Sequence, residues 1–293
     1  MALKAVTSLR PSDGGLHLGH YIGNIKPLID NQYVYDCTFI FADLQCQNAS
    51  EAELDSNIDL MLRQMICLGV DVNRVKFIKE STLKKDRLDV FLDISRHLTS
   101  SRIKRLPMIK SAESLPMSFF VFPIFQIKDI YLTDSSIAFS ITDNKAVIEL
   151  TNEVFKKINK ERNASLPHVE LIHGKVDVLV GFDGKKMSKK NQNCINFLDS
   201  EKDIRKKVNK MYTDPNRIHA DDAGNIAGNI VFKYLDAFFD CDSVKEYERM
   251  YSLGKIGDAQ IKTVLSDYLC KLIIQNQFKV EENKKSKVLD FVN

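Results

Sequence analysis

Apolar positions along this chain follow two different rhythms. Cys37-Thr38-Phe39-Ile40-Phe41-Ala42, Val75-Lys76-Phe77-Ile78 and Ala138-Phe139-Ser140-Ile141 are short, nearly continuous apolar runs. Such runs are expected of parallel strands covered on both faces. Between them the apolar residues recur every three or four positions, which predicts helices. One covers 51–69 through Leu54, Ile58, Met61, Leu62 and Met65, a second covers 84–105 up to Pro107, a third runs on from Phe122, and a fourth covers 145–160 with Val147, Ile148, Leu150, Val154 and Phe155 inward. A first strand lies around Val6, before the turn residues Pro11, Ser12 and Asp13. Strands alternating with helices predict an α/β domain with a parallel sheet. From residue 200 only the helical rhythm remains: 201–210 capped by Asp199 or Ser200, then 229–239, 243–252, 257–276 and 280–291. The expected division is an α/β domain over 1–198 and a smaller all-helical domain over 199–293.

Several polar positions fall at strand-to-helix junctions, where open α/β sheets bind ligands. Gly14-Gly15-Leu16-His17-Leu18-Gly19-His20-Tyr21-Ile22-Gly23-Asn24 reads as a glycine turn entering a helix. The unpaired N–H groups of a helix start attract an anion, and two imidazoles add hydrogen-bond donors. The alternative reading is a turn with two structural histidines. Asp43 and Gln45 follow the second strand, and Asp143 and Asn144 follow the run at 138–141. Asp43 is read equally as a cap or turn residue, and for Asp143 the local sequence favours a helix cap. Gln126 and Asp129, three apart on an apolar helix, share one face. Buried without partners they would be costly, so they suit a specificity pocket, although two exposed polar positions fit the spacing equally well. Phe182-Asp183-Gly184-Lys185-Lys186-Met187-Ser188-Lys189-Lys190-Asn191 is a cationic loop able to wrap a polyphosphate, or simply a basic surface loop. The run Arg102-Ile103-Lys104-Arg105 reads first as a solvated helix face.

Composition narrows the classes. At 293 residues the chain has room for two domains, and a net charge of +3 permits nucleic-acid binding without requiring it. The six cysteines are scattered with no CxxC pair, so neither a zinc site nor a disulfide framework is expected, and no metal ligands are assigned. No run reaches the roughly 20 apolar residues of a membrane span, and the start Met1–Val6 is too weakly apolar for a signal peptide. A soluble, cytoplasmic protein with no membrane partner is expected.

Two of these stretches, taken together, change their own reading. His17-Leu18-Gly19-His20 followed by Lys186-Met187-Ser188-Lys189-Lys190 resembles the paired HIGH and KMSKS signatures of class I aminoacyl-tRNA synthetases. Phe39 to Gln45, Phe122 to Ile130, Gly181 to Gly184, Met211 to Asn216 and Gly228 to Asp236 are similar to the tryptophanyl-tRNA synthetases in particular. The likeness spans roughly residues 5–278. It implies a Rossmann-type catalytic domain followed by a helical tRNA anticodon-binding-like domain. It implies activation of tryptophan by ATP, with Mg²⁺, to an aminoacyl-adenylate, then transfer to tRNA, the cognate being tRNA(Trp), and a homodimer. His17, His20, Lys186 and Lys189 would stabilise the phosphate charge. Gly19, Asn24, Asp143, Met187 and Ser188 would bind ATP. Gln45, Phe122, Gln126, Asp129 and Asn144 would bind the amino acid, with Asp129 accepting the indole N–H.

The segment Ala138 to Asn144 departs from the family pattern. Ile141 stands where a glycine is usual, Thr142 where an acid is usual, and Asn144 where glutamine is usual. Lys190 replaces a frequent serine, the turn before Leu16 is one residue longer, and the C-terminal part is short. These departures keep two further expectations open. One is a relative that activates another amino acid or uses a non-tRNA acceptor; the other is a non-catalytic binding module.

Overall fold

The computed structural model describes the whole chain except residues 1, 12, 13, 47, 48, 84–86, 111–114, 177, 215, 216, 218, 220, 285 and 293, and the side chains of Arg87 and Met108. Among the residues named above, Met1, Ser12, Asp13 and Asn216 lie outside the described set.

Five parallel strands form one sheet in the order β3-β2-β1-β4-β5: β1 Lys4–Leu9, β2 Asp36–Phe41, β3 Val75–Lys79, β4 Ile137–Phe139 and β5 Glu170–Ile172. The order grows outward from β1 in both directions, so a crevice opens at the carboxyl ends of β1 and β4. The helices are α1 Leu18–His20, α2 Lys26–Asn31, α3 Glu51–Leu68, α4 Arg87–Arg96, α5 Ser100–Ile103, α6 Pro107–Lys110, α7 Met117–Thr133, α8 Lys145–Arg162, α9 Glu201–Asn209, α10 Ile230–Phe238, α11 Cys241–Ser252 and α12 Asp258–Glu282. A π-helical turn, Tyr21–Ile25, joins α1 to α2.

Strand alternation sorts the core into two halves. Phe39, Phe41 and Phe77 face one side and pack with Ile58, Met61 and Leu62 of α3. Val6, Ile40 and Ala138 face the other and pack with α4, α7 and α8 through Ile94, Ile127 and Phe155. The first half runs on without a break into Ile204, Phe232, Leu265 and Ile273 of the helical C-terminal region.

Local chemistry sets the helix ends. A capping box between Ser50 and Glu53 starts α3, and Gly69 at φ 112° ends it. Ser200, one of the two expected caps, starts α9 by accepting from Asp203 N–H. The expected helix over 84–105 is instead α4 followed by α5, which Thr99 caps. Pro107 does not end a helix; it stands at the first position of α6, where its missing N–H costs nothing. The segments expected at 257–276 and 280–291 resolve into the single α12 and a short 3₁₀ turn, Val288–Phe291, because no glycine or proline interrupts residues 276–282. Neither Thr142 nor Asp143 caps α8; both lie in a 3₁₀ turn, Thr142–Asn144, that leads into it. Strand β5 is an addition to the pattern read from sequence.

The C-terminal helix is tied to the first half of the chain by buried amides. Asn276 Nδ2 donates to Gln64 O on α3 at 3.0 Å, and Gln277 Nε2 donates to Phe197 O and Asp199 O at 3.0 and 2.9 Å. Gln64 in turn accepts Leu16 N–H at 2.8 Å through Oε1. A side chain at Gly15, whose φ is +66°, would meet that amide at 2.5 Å. Among the described residues no helix is long and apolar enough to cross a membrane. Gln64→Met keeps the volume but leaves the Leu16 N–H buried and unpaired. It is expected to lower unfolding free energy by about 1–3 kcal/mol in urea titrations.

Candidate functional site

A cavity of about 880 Å³ occupies the crevice. It is lined by the ends of β1 and β4, the turn at His17–His20, Gln45, the inward face of α7, and the loop Lys186–Lys190. The two signature stretches meet because residues 195–197 run antiparallel to 16–18. Leu18 N–H donates to Ile195 O, and Phe197 N–H to Leu16 O, both at 3.0 Å.

His17 sits at the start of α1 and caps it, its Nδ1 accepting His20 N–H at 3.2 Å. The neutral ring therefore carries its proton on Nε2, which is left as a donor. The two imidazoles stack with centroids 3.5 Å apart. Burial, helped by the nearby Lys189 ammonium, lowers the His17 pKa to about 3. Burial also holds His20 well below its usual value, with His17, Lys189 and Arg10 acting in the same direction. Both rings are neutral at pH 7. They can donate to an anion without bringing a proton that must be removed. Gly19 is wedged between them and the signature loop: a Cβ there would lie 3.0 Å from both His17 and Met187 Sδ.

The loop is held from beneath by Asn193. This buried amide accepts Ser188 N–H at 2.8 Å through Oδ1, and its Nδ2 donates to Asp183 Oδ1 at 2.8 Å and Lys186 O at 3.0 Å. Ser188 caps the turn Lys189–Asn191. Lys189 Nζ donates to Gly15 O at 2.8 Å, crossing from one signature to the other. Lys186 pairs with Asp143. Asp143 is half-exposed and reaches the cavity through that lysine; it is not itself a wall residue. Asn24 points inward from the π turn and donates to Thr7 Oγ1 at 2.9 Å; Thr7 donates on to Phe139 O at 2.8 Å.

At the other end of the cavity, Asp129 and Gln126 project from α7. Asp129 is buried, and neither carboxylate oxygen has a hydrogen-bond partner; Gln126 Oε1 also lacks one. Gln45 Nε2 donates to Glu80 Oε2 at 3.4 Å. Burial raises the Asp129 pKa well above the usual range; the Glu80 carboxylate adds to this and Lys128 opposes it. Asn144 lines the wall and donates to Ser140 Oγ at 2.6 Å. Phe122 is half-buried and packs edge-to-face on Phe119, away from the lining. Ile141 fills the space above Gly23, where a Cβ would fall 2.5 Å from Ile141 Cγ2.

One end of this cavity thus offers neutral donors and ammonium groups for a polyphosphate. The other offers a buried acceptor without a hydrogen-bond donor among the described residues. A sequence model of the tRNA synthetases class I (W and Y) matches residues 1–273. The chain belongs to this family. Tryptophan--tRNA ligases of Chlamydia caviae and Treponema pallidum are both 33% identical to it, over 92% and 90% of this chain and 83% and 82% of theirs. The crystal structure of tryptophanyl-tRNA synthetase from Campylobacter jejuni complexed with ADP and tryptophan superposes with a TM-score of 0.75 at 25% identity, covering 99% of this chain and 93% of that one.

In this class I synthetase, several residues outside the signatures support the site without having been visible beforehand. Asn193, Gln64 and Glu80 carry no local sign of burial in the sequence. Only Lys128 left a trace, as one ammonium in the otherwise apolar stretch Ile124 to Ile130. Arg10, at the end of β1, adds a further cation to the lining. The lowered His17 pKa has a sign that can be checked. The unfolded chain takes up a proton near pH 6.5 and the folded ring near 3, so stability is fully present above pH 6.5 and is lost as pH falls towards 3. His17→Gln is expected to flatten that decline in urea midpoints measured from pH 7 to 4.

Proposed function

We propose that the protein activates tryptophan with ATP and transfers it to tRNA(Trp). The observation that carries this reading is Asp129: a buried acid whose two oxygens have no hydrogen-bond partner among the described residues, at the end of the cavity opposite the His17–Lys189 anion site. An indole N–H is the donor that this acceptor lacks, and a ring without the donor would leave the carboxylate unpaired. Gln126 and Gln45 would stand beside the ring, while Phe122, also on α7, lies outside the lining. Asn144 faces the substrate's polar backbone groups.

In the first step a carboxylate oxygen of tryptophan bonds to the α-phosphorus of ATP as the bond to the bridging oxygen breaks and pyrophosphate leaves. Little covalent help is needed; alignment and charge stabilisation suffice. His17 Nε2–H and His20 would donate to the phosphate oxygens as charge shifts. Lys186 and Lys189 would neutralise the departing pyrophosphate, with the Ser188 hydroxyl beside them. Gly19 and Met187 would lie against adenine, while Asn24 and Asp143 complete the nucleotide contacts. Among the described residues no cluster of three His, Cys, Asp or Glu is set to hold a metal. Mg²⁺ would accompany ATP, bound chiefly by its phosphates.

Residues 1–198 form the catalytic domain in this reading, and 199–293 the tRNA-facing one. The long α12 and the lysines of α9 support a polyanion surface there. A homodimer is supported by exposed apolar side chains on the packed pair α4 and α7: Leu88, Leu92, Met117 and Phe119. Cytoplasmic location follows from the reaction's partners.

Exchange of labelled pyrophosphate into ATP should depend on tryptophan and on no other amino acid, and its absence with tryptophan would end the reading. Lys189→Ala should slow adenylate formation by about 100-fold with the tryptophan Kd nearly unchanged, because its contact strengthens as pyrophosphate departs. Fast single-turnover kinetics checks this. Weakened tryptophan binding at an unchanged rate would remove Lys189 from the role.

A further inference from the structure

Directly behind Asp129 lies a second pair of charges that the reaction does not use. Lys128 Nζ donates to Glu80 Oε1 at 2.6 Å, and both side chains are essentially sealed from solvent, at 1% and 0% exposure. The same ammonium stands 3.6 Å from Asp129 Oδ1 and 4.6 Å from the centroid of the Phe125 ring. Two carboxylates therefore compete for one buried cation, and geometry favours Glu80. The outer oxygen of Glu80 takes a hydrogen from Gln45 at 3.4 Å, so the pair also reaches a second wall residue of the amino-acid pocket.

A buried ion pair contributes little net stability, because the desolvation of two charges offsets their attraction. An apolar pair would fill this space at lower cost, so the placement of this one against a substrate-binding acid points to function. Resting on the tryptophan reading, we propose that the Glu80–Lys128 pair positions charge for the amino-acid pocket: Glu80 restrains Lys128 at a distance from which the ammonium favours the charged form of Asp129 against burial without occupying the oxygens that would accept the ring N–H. Drawn fully onto Asp129, the ammonium would occupy the acceptor. Removed altogether, it would leave the acid to take a proton. Glu80 and Lys128 are positioning residues here, since neither reaches the cavity itself.

The charged groups that bear on Asp129 are Lys128 on its own helix, Glu80 at the end of β3, and Asp43 after β2, whose Oδ1 accepts Ser81 N–H at 2.9 Å. Burial and the two acids push Asp129 up; Lys128 alone pulls it down. The two members of the pair therefore have opposite effects. Lys128→Met should move the acid limb of kcat/KM for tryptophan to higher pH, and Glu80→Gln, which releases Lys128 to Asp129, should move it to lower pH, each by about one unit. The assay is tryptophan-dependent pyrophosphate exchange at saturating ATP from pH 5.5 to 9, with kcat/KM for ATP over the same range as the control for losses elsewhere. An alanine bearing a benzothiophene ring, which lacks the N–H, should show no such limb.

Shifts of opposite sign support the proposal. Limbs that stay in place or move together, or an analogue that keeps the limb, overturn it and leave the pair a structural element. Glu80→Gln preserves a partner for every buried charge, so it carries the test alone if Lys128→Met does not fold: a move to lower pH supports the proposal and no move overturns it. Wild-type protein without tryptophan-dependent exchange would overturn the functional reading and this inference with it. Exchange that persists with unmoved limbs would overturn only the inference.

Discussion

Two backbone hydrogen bonds between residues 16–18 and 195–197 are the constraint on which the active crevice depends. They join the loop after the first strand to the segment that leaves the lysine-rich loop, and so bring together stretches from nearly opposite ends of the catalytic region. Neither segment belongs to a regular strand or a long helix, so nothing else in the secondary structure would impose that meeting. The join is secured from both sides. On one, the Gln64 amide takes the Leu16 N–H; on the other, Gln277 holds the carbonyls of Phe197 and Asp199. Gln64 and Gln277 lie on α3 and α12, which Asn276 links directly. The geometry at the phosphate end of the cavity thus depends on a helix near the end of the chain, and a boundary drawn at residue 198 separates sequence patterns more cleanly than it separates the core.

Charge is distributed along the cavity with the same economy. The end proposed for phosphate holds neutral imidazoles and two lysines, Lys189 bonded to Gly15 O and Lys186 paired with the Asp143 carboxylate. The opposite end holds an acid in a dry wall. A carboxylate placed there without Lys128 nearby would carry the full penalty of burial, and one paired tightly would be blind to a ligand. The observed spacing of 3.6 Å falls between these cases.

Much of this was legible in the chain. Strands β2 and β3 were visible because both of their faces are covered, and α3 because Ser50, Glu53 and Gly69 mark its ends. The signatures were visible through a family likeness, since spacing alone left His17–His20 and Lys186–Lys190 as a turn and a surface loop. What escaped detection has physical reasons. Strand β5 has three residues and one neighbour, too little for a period. The length of α12 was obscured because its last turns, residues 277–282, are mostly polar and contribute no buried apolar side chain. Asn193, Gln64, Glu80 and Lys128 act through partners distant in sequence, and a polar side chain carries no local sign that it will be buried. The departure at Ile141 falls on a residue that lines the cavity, and its side chain also closes the space over Gly23.

That contact has a consequence of its own. Ile141 Cγ2 stands where the first side-chain atom of residue 23 would be. Positions 23 and 141 therefore share one volume, and only one of them can be large. The isoleucine is not an isolated oddity of the segment at 138–144. Its side chain fills the space that Gly23 leaves and packs the π turn against the segment after β4. A change at either site alone creates a hole or a clash, so the two are free to vary only as a pair.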